Sequence, residues 1–438
     1  MIHEIAQDLH QINWKSLTAE AQRKLQLCLL ANISVAVAGG PAMRLPRPKS
    51  GLGHLLIDGG QTSSAREAAF YNAALMHART QDDFHPYGNN HVTTIILPAL
   101  LAEAERCEVS GEELLSALAV GYATSAGLSR ATSASTTPRG LRSTCLFSTM
   151  GAAAAVSSLR GQGSAGIANT LSLASQSAFG TTQCWRDGSD EYQLHVANAA
   201  SQALLCAELT EAGVVGGEHA LDGPSGFYSV LTGAIPSYEK LRGDFEPNAS
   251  ILDTVLKRYP VSGICQPVTL LSERLAAELG NKEVASMLIE MNAFEMSYPG
   301  TLNAGPDYKS FSDRLMSARF CAGSVLENGR FDFTAFLRPQ SDGLSRLMAA
   351  TDVRSADDLK TLSCRITLTM RDGSTLRGEL RDGGKELAID WDTIDAWSLE
   401  LWRGAGRTAG ELQTLRAAVM GLPNTGFDAL RVALLNNA

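Results

Sequence analysis

Nowhere in its 438 residues does the chain hold the run of about eighteen uninterrupted apolar residues that a membrane-spanning helix needs, so none is expected. It also lacks any cluster of Lys and Arg. Acidic residues outnumber basic ones 46 to 37, the formal charge is −9 and the pI is about 5.5. A nucleic-acid surface needs clustered cations, so none is expected, although an acidic body can still hold a local basic pocket for a small anion. The eight cysteines form no CxxC pair, and several sit in apolar runs such as "LQLCLLA" and "ALLCAEL", where Cys behaves as a small hydrophobe. Reduced thiols in a cytoplasmic protein are expected. The amphipathic opening "MIHEIAQDLHQINW" has no apolar core of a secretory signal, and there is no tandem repeat or low-complexity tract.

What is present is helix after helix. "TAEAQRKLQLCLLANISVAVAG" opens on a Thr cap and closes at Gly39-Gly40. "SAREAAFYNAALMHAR" is Ser-capped; "ILPALLAEAERCEVS" precedes "SGEELLSALAVGYATSAGLSRA", in which Ser110 caps and Glu112 and Glu113 favour the N-terminal dipole. "FSTMGAAAAVSSLRG" and "GIANTLSLASQSAFG" are built of small residues and are expected at the centre of a bundle, with "HVANAASQALLCAELTEAG" a further helix. Composition changes near residue 250. "PVTLLSERLAAELG" and "SFSDRLMSARFCAGSVLENG" read as helices, "SMLIEMNAFEMSY" as a strand, and "CRITLTMRDGSTLRGEL" as a hairpin turning on Asp372-Gly373. "TAGELQTLRAAVMGLPNTGFDALRVALLNN" returns to helix. The expected fold is mainly α: a large all-helical domain (1–252), a smaller α+β lid domain (253–390), and C-terminal helices (391–438) that pack back on the helical domain, since short isolated helices are marginal in water.

The stretch "HARTQDDFHPYGNNHVTT" crowds His77, His85 and His91 with Asp82 and Asp83 around a loop of Pro86, Gly88, Asn89 and Asn90. These residue types suit metal ligands, acid–base groups, or the solvated tip of a helix hairpin. Histidine as a residue type can be tuned near neutrality, which suits His91 to acid–base work, yet "NNH" before an apolar helix is also an ordinary helix start. For a metal site, zinc or iron would need further ligands at fixed helical spacing. No second set with convincing spacing is found, so no metal is expected.

Four motifs in one order make the chain resemble the MmgE/PrpD family, which includes 2-methylcitrate dehydratase, cis-aconitate decarboxylase and iminodisuccinate epimerase. The stretch 77–94 is similar to the family's acidic "DFDDTH"-like segment and following histidine. "RGLRSTCLFSTMGAAAA" resembles "GFHPT…GAAAA", "EYQLHVANAASQALLCAELTEAGVVGG…LDGPSGFYS" resembles the "K-x-L-H-A-G" helix and its sequel, and "LKRYP" resembles Lys-x-Tyr/Phe-Pro. The similarity runs over nearly the whole length and retains His91, His195 and Lys257. It departs where the first family Asp falls on Thr80, the Thr after the Asp pair on Phe84, the "GFHPT" His and Pro on Arg142 and Ser143, the "K-x-L-H-A-G" Lys and Gly on Tyr192 and Ala197, and a later His on Gln266.

The resemblance implies a cofactor-independent lyase or isomerase that moves a proton on carbon beside a carboxylate or carbonyl of a small acid. Dehydratase-like chemistry is the first expectation, with epimerisation or decarboxylation as alternatives on the same scaffold; a catalytically silent ligand- or partner-binding member is the alternative of another class. It also implies a homodimer with its cleft between the two domains. Such chemistry needs a base near the carbon and cations or N–H donors at the carboxylates. The catalytic candidates are His91 as base or acid, Lys257 holding a carboxylate or enolate-like state, Tyr192 as oxyanion donor, and Asp82 and Asp83 fixing histidine tautomers. Arg142 is a poor base but forks onto a carboxylate; with Arg139, Ser143 and Thr144 it forms a candidate anion cradle. His85, His195, Gln266 and Tyr298 complete the substrate-binding candidates, and no metal or cofactor is expected.

Overall fold

The computed structural model describes residues 1–305, 308 and 310–435. The fold is mainly α, with small sheets. The chain divides into two compact units: Met1–Thr181 with Tyr192–Thr254 and Asp390–Ala438, and Thr182–Glu191 with Val255–Ile389. The short segment Thr182–Glu191, which reads from sequence as part of the helical front, clusters with the second unit. The longer helices are α1 (Ile2–His10), α2 (Ala19–Val37), α3 (Ala65–His77), α4 (Thr93–Ala104), α5 (Gly111–Arg130), α6 (Ser143–Leu159), α7 (Gly163–Ser175) and α8 (Glu191–Glu211); then α9 (Gln266–Leu279) and α10 (Ala318–Asn328) in the second unit; and α11 (Ile394–Gly404), α12 (Ala409–Thr425) and α13 (Phe427–Leu435) back in the first.

Polar caps start these helices where the sequence places them. Thr18 accepts from Ala21 N, Ser64 from Glu67 N, and Ser110 with Glu113 closes a reciprocal box at the start of α5. The centre of the first unit is α6. Every residue from Ser143 to Ser157 is buried, and the helix packs against α4, α5 and α7. Its small side chains permit a close crossing: a Cβ on Gly151 would lie 2.1 Å from Ser125 Oγ and 2.8 Å from the Gly121 carbonyl oxygen of α5. The C-terminal helices return to α2, where Trp402 Nε1 donates to Ser34 Oγ at 3.1 Å and Gln26 Nε2 to the Val419 carbonyl at 2.9 Å.

Among the described residues the second unit carries four strands, β1 (Val284–Met291), β2 (Thr351–Ser355), β3 (Cys364–Met370) and β4 (Thr375–Leu380), in the order β2-β1-β3-β4. β2 runs parallel to β1 and the other pairs are antiparallel, with Ile289 opposite both Val353 and Ile366. Alternation buries Met287, Ile289 and Met291 on β1 and Cys364, Ile366 and Leu368 on β3. Leu271 and Leu275 of α9 lie over Gly378 of β4, so helix and sheet close together.

Three local readings change. "SFSDRLMSARFCAGSVLENG" forms two helices, Phe311–Met316 and α10, because Ser317 is extended and its hydroxyl caps Phe320 N at 3.2 Å. In "SMLIEMNAFEMSY" the strand stops at Met291, where Asn292 caps the short helix Ala293–Ser297. The tail breaks at Gly426, whose φ of +74° with ψ of 178° is a glycine conformation; its last residues, 436–438, lie outside the described residues.

Candidate active site

α3 ends at His77, and the chain must reverse to place Asp82 against it. Thr80 makes that reversal with φ +49°, a costly conformation for a β-branched residue, and its N–H donates to the His77 carbonyl at 2.8 Å. The Asp82 carboxylate is fully buried and lies 2.9 and 3.0 Å from His77 Nδ1 and 3.0 Å from His91 Nδ1. The two imidazoles meet edge to face, with centroids 4.7 Å apart. His91 Nδ1 also lies 3.0 Å from the Asp83 carbonyl oxygen. Two acceptors at Nδ1 make it the protonated nitrogen, so the neutral ring of His91 carries its basic lone pair on Nε2. Its backbone is clasped by the first turns of α6: Thr144 Oγ1 accepts from His91 N at 3.2 Å and Ser148 Oγ donates to His91 O at 2.7 Å.

Asp83, the neighbour in sequence, faces elsewhere. Its carboxylate accepts from Thr93 N and Oγ1 at 3.1 and 2.5 Å and from Tyr122 OH at 2.6 Å, while its own N–H donates to Asn32 Oδ1 at 3.1 Å. Burial raises its pKa above the usual carboxylate value. Asp83 therefore pins the start of α4 and the middle of α5 to the site loop. Sequence reasoning missed Thr93, Tyr122 and Asn32; the signal for Tyr122 is one phenol inside the small-residue run "AVGYATSAG".

Arg142 precedes α6, and its side chain is 2% exposed. One terminal nitrogen lies 2.6 Å from His77 Nε2; the other lies 2.8 Å from the Tyr192 carbonyl oxygen and 3.2 Å from His195 Nδ1. His77 thus sits between a carboxylate and a guanidinium. Burial, with His91 and Arg142 adding to it against Asp82, pushes its pKa down to about 3, so its contact with Asp82 is a hydrogen bond from a neutral ring. His195 on α8 is half-buried and is pushed down to about 4 by burial and then by Arg142. Tyr192 is buried; its hydroxyl donates to the Ala78 carbonyl at 2.9 Å and accepts from Gln193 Nε2 at 2.9 Å.

The other candidates fall in different places. Ser143 Oγ pairs with Thr137 Oγ1 at 3.2 Å, and Arg139 bonds the Leu231 carbonyl. His85 is fully buried in the loop, where Nδ1 accepts from Gly88 N and Nε2 faces Arg130, both at 3.2 Å; the closure runs through Asn89 at φ +48°. Lys257, Gln266 and Tyr298 belong to the second unit. Lys257 is fully buried. Gln266 holds its own loop, accepting from Tyr259 N at 3.1 Å and donating to the Tyr259 and Val261 carbonyls. Tyr298 is half-buried beside Phe294.

His77, Asp82 and His91 are grouped closely enough to offer three metal-ligating atoms. The donor types suit zinc. The surroundings do not: Arg142 places a fixed positive charge on His77, and Asp82 already accepts from both rings. The arrangement suits proton handling better than a dication.

The MmgE/PrpD N-terminal domain model matches residues 3–238, more than half of the chain. This chain belongs to the MmgE/PrpD family. A "Cis-aconitate decarboxylase-like protein oryM" of Aspergillus oryzae (strain ATCC 42149 / RIB 40) is 32% identical over 184 residues, which cover 39% of this chain and 38% of that protein. The chain therefore spans well under half the length of the relative it matches. Arg142 and Tyr192 both fall inside the cluster built around His77 and Asp82. Among the described residues no helix is long and apolar enough to cross a membrane.

Proposed function

We propose that the chain is a lyase or isomerase that transfers a proton at carbon beside a carboxylate or carbonyl of a small organic acid. The observation that carries this reading is the pair of His91 and Asp82: a half-buried imidazole whose Nδ1–H is held by a fully buried carboxylate. In that tautomer Nε2 accepts the carbon-bound proton, and the Asp82 charge stabilises the imidazolium that results. Elimination of water is the first expected outcome. Loss of CO₂ is the second: the C–C bond breaks instead of C–H, and protonated His91 gives the carbon its proton; the name of the Aspergillus relative supports keeping it. Inversion, with the proton returned on the opposite face, is the third. Family membership supports the lyase class. By resemblance to the family the working unit is a homodimer acting without a cofactor, and the cysteines outside any CxxC pair support a cytoplasmic location.

The test is proton NMR in D₂O with citrate, 2-methylcitrate, cis-aconitate, aspartate-derived and tartrate-like acids. Loss of a C–H signal, or a new alkene signal, that disappears in His91→Ala is the expected result. Tight binding of any of these acids with no exchange would instead favour a ligand-binding member of the family.

A further inference from the structure

We propose that Arg142 is a positioning residue that sets the proton on two histidines at once, leaving His77 with its N–H on Nδ1 and His195 with its N–H on Nε2. A guanidinium has five N–H donors and no acceptor. A ring nitrogen that faces it at bonding distance must present a lone pair. Arg142 faces His77 Nε2 at 2.6 Å and His195 Nδ1 at 3.2 Å. A neutral imidazole carries one N–H, so each ring keeps it on the opposite nitrogen. For His77 that nitrogen is Nδ1, which lies 2.9 Å from Asp82 and needs to donate there. Protonating either ring fully would turn an N–H against the guanidinium and add a second cation to buried space. The lowered pKa values of both rings, about 3 and about 4, agree with this.

The result is a chain of five residues, His195–Arg142–His77–Asp82–His91, in which each link fixes the next. The inner three are buried and the two ends are half-buried. The ends have opposite character. His91 offers a basic Nε2, whereas His195 offers an Nε2–H donor. A neutral imidazole in its place would have a single N–H and could not donate to both partners, so the arginine enables this arrangement. The tautomer assignment is independent of any reaction. Its use in catalysis rests on the proton-transfer reading above: His91 takes the carbon proton, and the His195 N–H hydrogen-bonds the oxygen on which charge develops.

The experiment is long-range ¹H–¹⁵N correlation on the full chain labelled with ¹⁵N-histidine, near neutral pH and without substrate, assigned by His77→Gln and His195→Gln. His195 is expected as the Nε2–H form and His77 as the Nδ1–H form. Arg142→Lys, which keeps the charge but offers one compact donor, is expected to release at least one ring into a tautomer mixture. In turnover it should lower kcat by about 100-fold, the scale of general acid–base assistance, with KM little changed. An Nδ1–H form of His195 in the unmodified protein would overturn the assignment even if no Arg142 variant folded. So would unchanged tautomers in Arg142→Lys and Arg142→Gln. A rise in KM alone would make Arg142 a carboxylate clamp. The expected tautomers, with no exchange on any acid, would overturn the proton-transfer reading and leave the assignment standing.

Discussion

Asp82→Asn isolates the group on which the site turns. The substitution keeps shape and volume but replaces a carboxylate that accepts from His77 and His91 at 2.9–3.0 Å by one oxygen and one NH₂. The NH₂ must face one of the two rings. If it faces His91, Nδ1 keeps only the Asp83 carbonyl oxygen as an acceptor and meets an N–H, which favours moving its proton to Nε2, the atom assigned as the base. The lost charge adds to this. A unit charge about 4 Å from the imidazolium is worth about 4 kcal/mol at an effective dielectric of about 20. At about 1.4 kcal/mol per decade that is about 10³ in rate, and inverting the tautomer of a catalytic histidine by the same Asp-to-Asn change costs about 10⁴. The expected loss in kcat is therefore about 10³- to 10⁴-fold, with substrate affinity nearly intact. The assay is single-turnover exchange of the substrate C–H in D₂O, with affinity measured separately by calorimetry. Residual exchange within about tenfold of the unmodified protein would refute the pairing of Asp82 with His91 as the catalytic unit.

Two further expectations concern the frame. Gly151→Ala places a methyl against Ser125 Oγ and the Gly121 backbone at the crossing of α5 and α6; an overpacking cost of about 1–3 kcal/mol should appear as a lower urea midpoint, and an unchanged midpoint would contradict the rigidity of that contact. Glu295 is buried in the second unit, where one oxygen accepts from Leu362 N at 2.9 Å and burial raises its pKa from 4.5 to about 8. A raised folded-state value means that its contribution is present below the unfolded pKa and is lost as pH climbs through the folded one. Urea midpoints of the unmodified chain should therefore fall relative to Glu295→Gln between about pH 5 and pH 8, whereas parallel curves would show that the carboxyl is not protonated there.

How far the sequence speaks depends on whether the deciding contact is local. The caps at Thr18, Ser64 and Ser110 are local, and so is the alternation around Asp372-Gly373; all are legible as written. The small-residue run of α6 announces a close crossing without naming its partner. The split at Ser317 is not legible, because the apolar spacing continues across it and the cap competes only once Thr301 takes the Ala318 N–H. β2 is a five-residue edge strand whose parallel partner lies some sixty residues away in sequence. Arg142 is the instructive case. Its chemistry favours a carboxylate, and nothing near it in sequence says that its planar fork would be occupied by two histidines from α3 and α8.

The same reasoning explains why two adjacent aspartates perform different tasks. The Asp82 side chain enters the imidazole cluster, and the Asp83 side chain goes to Thr93 and Tyr122, so one dipeptide joins the proton-handling group to the helical scaffold. His91 is held from both: Asp82 carboxylate and Asp83 carbonyl oxygen share its Nδ1–H, while Thr144 and Ser148 fix its backbone. An imidazole whose Nδ1–H is held by two groups of one segment, and whose backbone is held by two hydroxyls of another, has little orientational freedom to lose. The backbone strain at Thr80 follows from that demand, since only a reversal directly after His77 brings Asp82 back beneath its ring.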